Sequence, residues 1–219
     1  MDWGSLHEVL LVEAPVRLAE HLTLSIISIC TTIILAVPTG IILTRPKFLR
    51  FAYIVLNLLN LLMTVPPLAF IAIAIPLIGI GNVPAIIALI ALSLLPVARN
   101  TISGIQAVDP AVKEAAMGMG MSKKKILLEV EMPLALPIII GGIKTSSVLV
   151  VSTATMAAFI GGGGLGKMIV TGMTLFLPEY LIVGAGLGAV LAITIDRILS
   201  FVEYKMTPRG LRGEGERLI

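Results

Sequence analysis

Apolar residues in this chain fall into long runs rather than alternating with polar ones. Each run is closed by a short polar stretch, often with Pro or Gly. A helix needs about 20 predominantly apolar residues to cross a bilayer, and five stretches qualify. They run over about 22–44, 51–75, 84–98, 134–160 and 180–201. The second holds Pro66-Pro67, which predicts a kink there. The third is short unless it continues past Arg99 to Ile105. A sixth helix, over about Trp3 to Arg17, is too polar to span and would lie at the interface. The pattern predicts an all-α polytopic membrane protein with about five transmembrane helices. There is no strand-period alternation, internal repeat or low-complexity segment. Residues 1–21 read as an extracytoplasmic segment, 22–203 as the transmembrane domain and 204–219 as a cytoplasmic tail.

One interruption is unlike the others. Residues 109–133 read Asp-Pro-Ala-Val-Lys-Glu-Ala-Ala-Met-Gly-Met-Gly-Met-Ser-Lys-Lys-Lys, then continue to Glu129-Val-Glu-Met-Pro133. Asp109 suits an N-cap and Pro110 the first helical position. Gly118 or Gly120 can end that short helix. Ser122 can cap a second, which Pro133 is expected to stop. The result is a helical hairpin too polar for lipid and too organised for a linker. Its small Ala115-Ala116 face permits close approach by another protein.

These residues carry a resemblance. Glu114-Ala115-Ala116, followed by Gly120, Pro133 and Pro137, resembles the EAA loop of ABC importer permeases. The likeness continues into Ala157-Ala-Phe-Ile-Gly-Gly-Gly-Gly-Leu-Gly166 and covers roughly residues 20 to 205. The wording is most similar to the osmoprotectant branch (glycine betaine, carnitine, choline), with methionine or other amino-acid permeases next. The resemblance implies a type I transmembrane domain whose hairpin forms coupling helices in a cleft of a separate ATPase subunit. It implies Glu114, Ala115, Ala116 and Gly120 as coupling residues. It also implies a second permease subunit, identical or similar, and an extracytoplasmic substrate-binding protein. No cofactor is expected on this chain, since ATP hydrolysis would lie on the partner.

Composition agrees with the pattern. Hydrophobic residues make up 57% and charged ones 13%, where a soluble domain carries roughly a quarter charged. Mean hydropathy is +1.05. The net charge of +3 is unevenly spread. Arg45, Lys47 and Arg50 follow the first span. Arg99, Lys113 and Lys123 to Lys125 follow the third, and Lys205, Arg209, Arg212 and Arg217 lie in the tail. The other side has Arg17 and Lys167. The positive-inside rule then puts the N-terminus outside, and the hairpin and C-terminus in the cytoplasm. This bias accounts for the basic balance without nucleic acid, and Lys123 to Lys125 can pair either with acids on a protein partner or with anionic headgroups of membrane lipid. The acidic bias of residues 1–21 does not suit a signal peptide. Cys30, the lone cysteine, allows no internal disulfide.

Gly161 to Lys167 reads Gly-x-x-x-x-Gly-Lys, but Met168 follows where a phosphate loop needs a hydroxyl. A tight turn at the outer end of the fourth span is the expectation. The fourth span is rich in hydroxyls. Ser152, Thr153 and Thr155 either line a polar path or bond back onto their own helix. Asn57 and Asn60 are costly to leave in lipid and should face protein or a pathway, and Phe159 could contribute to a gate. Lys144 can snorkel to the inner interface, and Asp196 and Arg197 can snorkel or pair. Small residues at Gly184, Gly186 and Gly188 suit close helix packing. His7 and His21 stand isolated near the outer surface. No metal-ligand spacing, nucleophile-base pair or aromatic cage for a quaternary ammonium is visible. Recognition is therefore expected on the separate binding protein, and this chain is read as a transport subunit rather than an enzyme. A stand-alone channel or secondary transporter would call for inverted repeats or membrane-buried acids, and neither is seen.

Overall fold

A computed structural model describes residues 3–207, and these are helical apart from short connections. The charged tail segment Arg209 to Arg217 lies outside the described residues. Ten α-helices follow one another: α1 (Trp3–Glu8), α2 (Ala14–Leu43), α3 (Leu49–Thr64), α4 (Pro67–Ile78), α5 (Asn82–Gln106), α6 (Pro110–Gly118), α7 (Lys123–Ile126), α8 (Met132–Ala154), α9 (Leu165–Thr174) and α10 (Pro178–Met206). Five helical stretches are long and apolar enough to cross a membrane: Leu6–Leu43, Pro46–Thr64, Asn82–Gln106, Lys123–Ile160 and Pro178–Met206.

The first differs from expectation. A π-helical turn, Val9–Glu13, joins α1 to α2 without a break, so no separate interfacial helix precedes the span. At 1.5 Å per residue, Leu6–Leu43 reaches about 57 Å, well beyond a hydrocarbon core of about 30 Å. The excess is held by packing: Val9 and Ala14 are buried against Leu165, Met168 and Val183. Residues 9–14 therefore bury an apolar stripe despite the neighbouring acids.

The second span is also corrected. Pro66-Pro67 separates two helices instead of kinking one. Val65 and Pro66 adopt extended backbone, and Pro67 starts α4 afresh, because a residue before proline avoids the α region. Helix α3 crosses alone. The short α4 lies across the end of the bundle, with Ile71 packed on Leu24, Ala85, Ala88, Ala157 and Ile160.

The centre is an antiparallel pair, α5 and α8, with α2 laid along one side. Gly142 makes the pairing close, since a Cβ there would come within 2.5 Å of the Asn100 Cβ. On the side of α2, Ala36 packs with Val97 and Ala98, and Ile29 with Leu89, Val150 and Ala154. Polar contacts run through the same triple seam. Thr32 and Ser93 hydroxyls are 2.6 Å apart, and Ser146 donates to the Ser93 carbonyl at 2.9 Å. The outward side of α2 is apolar (Ile26, Ile27, Ile34 and Ile42 are exposed) and suits lipid.

Candidate functional site

The hairpin forms as its caps require. Asp109 accepts the Ala111 N–H at 2.8 Å and starts α6, and Ser122 accepts the Lys125 N–H at 3.4 Å and starts α7. Gly120 makes the turn between them with φ +79°, a conformation costly for residues with a Cβ. Glu114 and Ala115 are exposed. Ala116 is buried within the chain, and its carbonyl accepts the Met121 N–H at 3.1 Å. It shapes the hairpin and is not on its open face. The exposed apolar side chains of the hairpin are Val112, Met117 and Met119.

Pro133 does not stop the second hairpin helix. A π-helical turn, Leu127–Glu131, bridges α7 and α8 directly before Pro133, and the shifted hydrogen-bond ladder there takes up the proline ring and its missing N–H without ending the helix. Lys123–Ile160 is consequently one continuous helical rod from hairpin to far end. The π turn places Glu131 inward, 6% exposed. Arg45, after α2, donates to its carboxylate at 2.6 Å, and Lys113 of α6 lies 3.7 Å away. One acid thus clasps the hairpin, the α2 exit and the root of α8. Nothing local in the sequence marks Glu131, because its two partners are 86 and 18 positions away.

At the opposite end the glycine run forms the expected turn. Gly161 and Gly164 have positive φ, and Leu165 starts α9. The turn is pinned from two helices. Asn82 accepts the Gly163 N–H at 2.9 Å, and Glu20 accepts the Gly164 N–H at 2.8 Å while bound by Arg17. A carboxylate therefore occupies the anion position at the start of α9, so phosphate is kept out by charge. His21 is fully buried beside Gly164 instead of sitting at a surface, and its Nε2 lies 3.0 Å from the Val151 carbonyl.

Away from α2 the α5–α8 pair is exposed along α8 and at the level of Arg99, while Leu92 and Leu95, which precede Arg99 on the same line of α5, are buried. Helix geometry identifies what lies on the exposed part. Residues two apart on a helix project about 200° from each other. Val97 and Thr101 face α2, so Arg99 between them faces away. Val150 and Ala154 face α2, so Ser152 between them faces away, and so does Thr145 between Ile143 and Ser147. Arg99, Thr145 and Ser152 are all exposed. Arg99 donates to Asn60 of α3 at 2.6 Å. Asn57, three residues before Asn60, is exposed beside it.

The hydroxyls of α8 mostly bond back to their own helix, Thr145 to Gly141, Ser147 to Ile143, Ser152 to Val148 and Thr155 to Ser152. Thr153 is buried, whereas Phe159 is exposed. Thr155 and Ser152 border a hollow of about 200 Å³ against Gly184 and Gly188 of α10. Gly184 packs closely on α9, while Gly186 and Gly188 have open space around them. Lys144 pairs with Asp196 of α10 at 3.5 Å rather than snorkelling alone.

The family model described as binding-protein-dependent transport system inner membrane component matches residues 36–208. The glycine betaine/carnitine/choline transport system permease protein OpuCB of Bacillus subtilis (strain 168) is 46% identical over 200 residues, 91% of each chain. The choline transport system permease protein OpuBB of the same organism is 45% identical over 193 residues, 88% of each chain. Among solved structures, an inward-facing MetNI methionine ABC transporter superposes with TM-score 0.81 at 19% identity. That match covers 95% of this chain and 100% of the other. At that identity it speaks for the fold alone. With a family model matching most of its length and relatives matched nearly end to end, this chain belongs to the binding-protein-dependent transport system inner membrane components.

Proposed function

We propose that this permease is one half of the membrane path of an ATP-driven importer for quaternary ammonium osmoprotectants such as glycine betaine, carnitine and choline. The solutes in the names of its relatives support that reading. A methionine or other amino-acid solute has only distant fold likeness behind it. The observation that carries the mechanism is the unbroken rod Lys123–Ile160. It joins an exposed apolar hairpin tip to the helix bearing the open polar strip. Apolar side chains at the end of a polar loop outside lipid call for a protein partner, and Met side chains adapt well to one.

In this reading the hairpin sits in the cytoplasm, with the N-terminus outside and the C-terminus inside. A separate ATPase binds around Glu114, Ala115, Met117 and Met119. Closure of the ATPases on ATP shifts α6–α7, and the Glu131 clasp passes the shift to α2 and α8 together. The open faces of two permease subunits, same or similar, enclose the path, and a binding protein delivers solute from outside. No cofactor is required on this chain.

The test is uptake of labelled glycine betaine in cells carrying Glu114→Arg with the other subunits intact. Uptake should fall about tenfold or more, as a reversed charge at a docking contact costs several kcal/mol. The ATPase should co-purify poorly with the variant. Normal uptake with normal co-purification would remove the hairpin from the docking surface.

A further inference from the structure

We infer that Arg99, held by Asn60, is a carboxylate-binding group on the solute path, so that the permease itself favours zwitterionic trimethylammonium acids over carboxyl-free cations. This rests on the importer reading above. Three observations converge on the site. Arg99 lies seven residues from the end of α5, about 10 Å along the axis, so its root is within the span. Its guanidinium has no carboxylate within 4 Å among the described residues, and its hydrogen bond goes to the neutral Asn60. It also projects from the face opposite α2, whose outer side is the apolar, lipid-suited one. Thr145 and Ser152 open onto the same face. By contrast, Lys144, at similar depth on α8, is matched by Asp196.

An unneutralised arginine at this depth is expensive against hydrocarbon and is tolerated where it meets water or a ligand. Guanidinium carries five donors in a planar fork that fits a carboxylate with two parallel bonds. Asn60 takes one donor and fixes the head, leaving the rest of the fork free. A passing betaine or carnitine presents both a carboxylate and a trimethylammonium group. Choline presents the cation alone and meets like charge. The binding protein would then not be the sole discriminating element of the importer.

The experiment uses the assembled importer in lipid vesicles, with binding protein supplied and initial uptake of labelled glycine betaine and choline measured side by side. Arg99→Gln should lower the betaine-to-choline rate ratio about tenfold, the scale expected when a polar group of the solute loses its partner. Arg99→Lys keeps the charge and should recover much of that ratio, and both variants should melt as wild type. If wild type carries betaine and no choline, Arg99→Gln should lose betaine uptake without loss of thermal stability. An unchanged ratio, or both solutes falling in step, would overturn the inference. Falling in step is the result expected if Arg99 merely snorkels to lipid phosphates. A wild-type importer that moves neither solute would instead overturn the osmoprotectant reading, and this inference with it.

Discussion

Asp109 shows how one side chain sets the hairpin. Its carboxylate satisfies the Ala111 N–H, one of the donors that every helix start leaves open. Pro110 then occupies the one position where its missing donor costs nothing. Asp109→Ala should weaken α6 by about 1 kcal/mol, whereas Asp109→Asn should be nearly neutral. Hydrogen exchange of residues 110–118 is the check, since faster exchange in the alanine variant alone isolates the cap. Ala116 makes a related point. The Glu-Ala-Ala triplet reads as a small-faced docking patch, but burial divides it into an exposed Glu114-Ala115 and an inward Ala116. A linear motif cannot show which residue of a short helix points home.

Among the elements, the rod Lys123–Ile160 matters most, and its continuity depends on the π turn at Leu127–Glu131. A single α-helical phase would carry Glu131 elsewhere. The extra residue of a π turn rotates it inward to Arg45 and Lys113. Both cations are partly exposed, so solvent screens the pair, and the hydrogen-bonded Arg45 contact is the stronger of the two. Glu131→Ala leaves Arg45 and Lys113 facing each other and should lower complex stability by about 1.5–3 kcal/mol. Arg45→Ala should cost more than Lys113→Ala. Beyond melting temperature, ATP hydrolysed per solute imported should rise in Glu131→Ala, because the hairpin would move without carrying α8. Unchanged coupling would mean the clasp only supports the fold.

For the molecule as a whole, the separation of its two ends organises everything else. One end gathers the hairpin, Arg45, Lys47 and the clasp, and the other the glycine turn with Glu20 and Asn82. The proposed orientation rests on the basic residues of the first end, which the positive-inside rule would place in the cytoplasm. In a Cys30→Ala background, a cysteine at Lys124 should react with a membrane-impermeant maleimide only after permeabilisation. One at Lys167 should react in intact cells. The reverse labelling pattern would invert the protein and remove the hairpin from any cytoplasmic ATPase. The outer spans, α3 and α10, are sparsely covered within one chain. In α3 only 6% of the apolar window is buried, and Tyr53, Ile54, Leu58 and Leu61 are exposed. Lipid or a second permease must cover them.

Some of this could be read from residues in order. Apolar run length alone marked the spans, because backbone groups in lipid must bond within their own helix. Local capping chemistry likewise marked α6 and α7. Proline was misread twice for one reason: its effect depends on its place within a turn, and a π turn at Leu127–Glu131 or a fresh start at Pro67 changes that place. Glu131 with Arg45 and Lys113, Glu20 with Gly164, and Arg99 with Asn60 join positions 18 to 144 apart. Nothing local announces such pairs, since a charge in a membrane chain acquires its meaning from what the packing of α2, α5 and α8 sets opposite it.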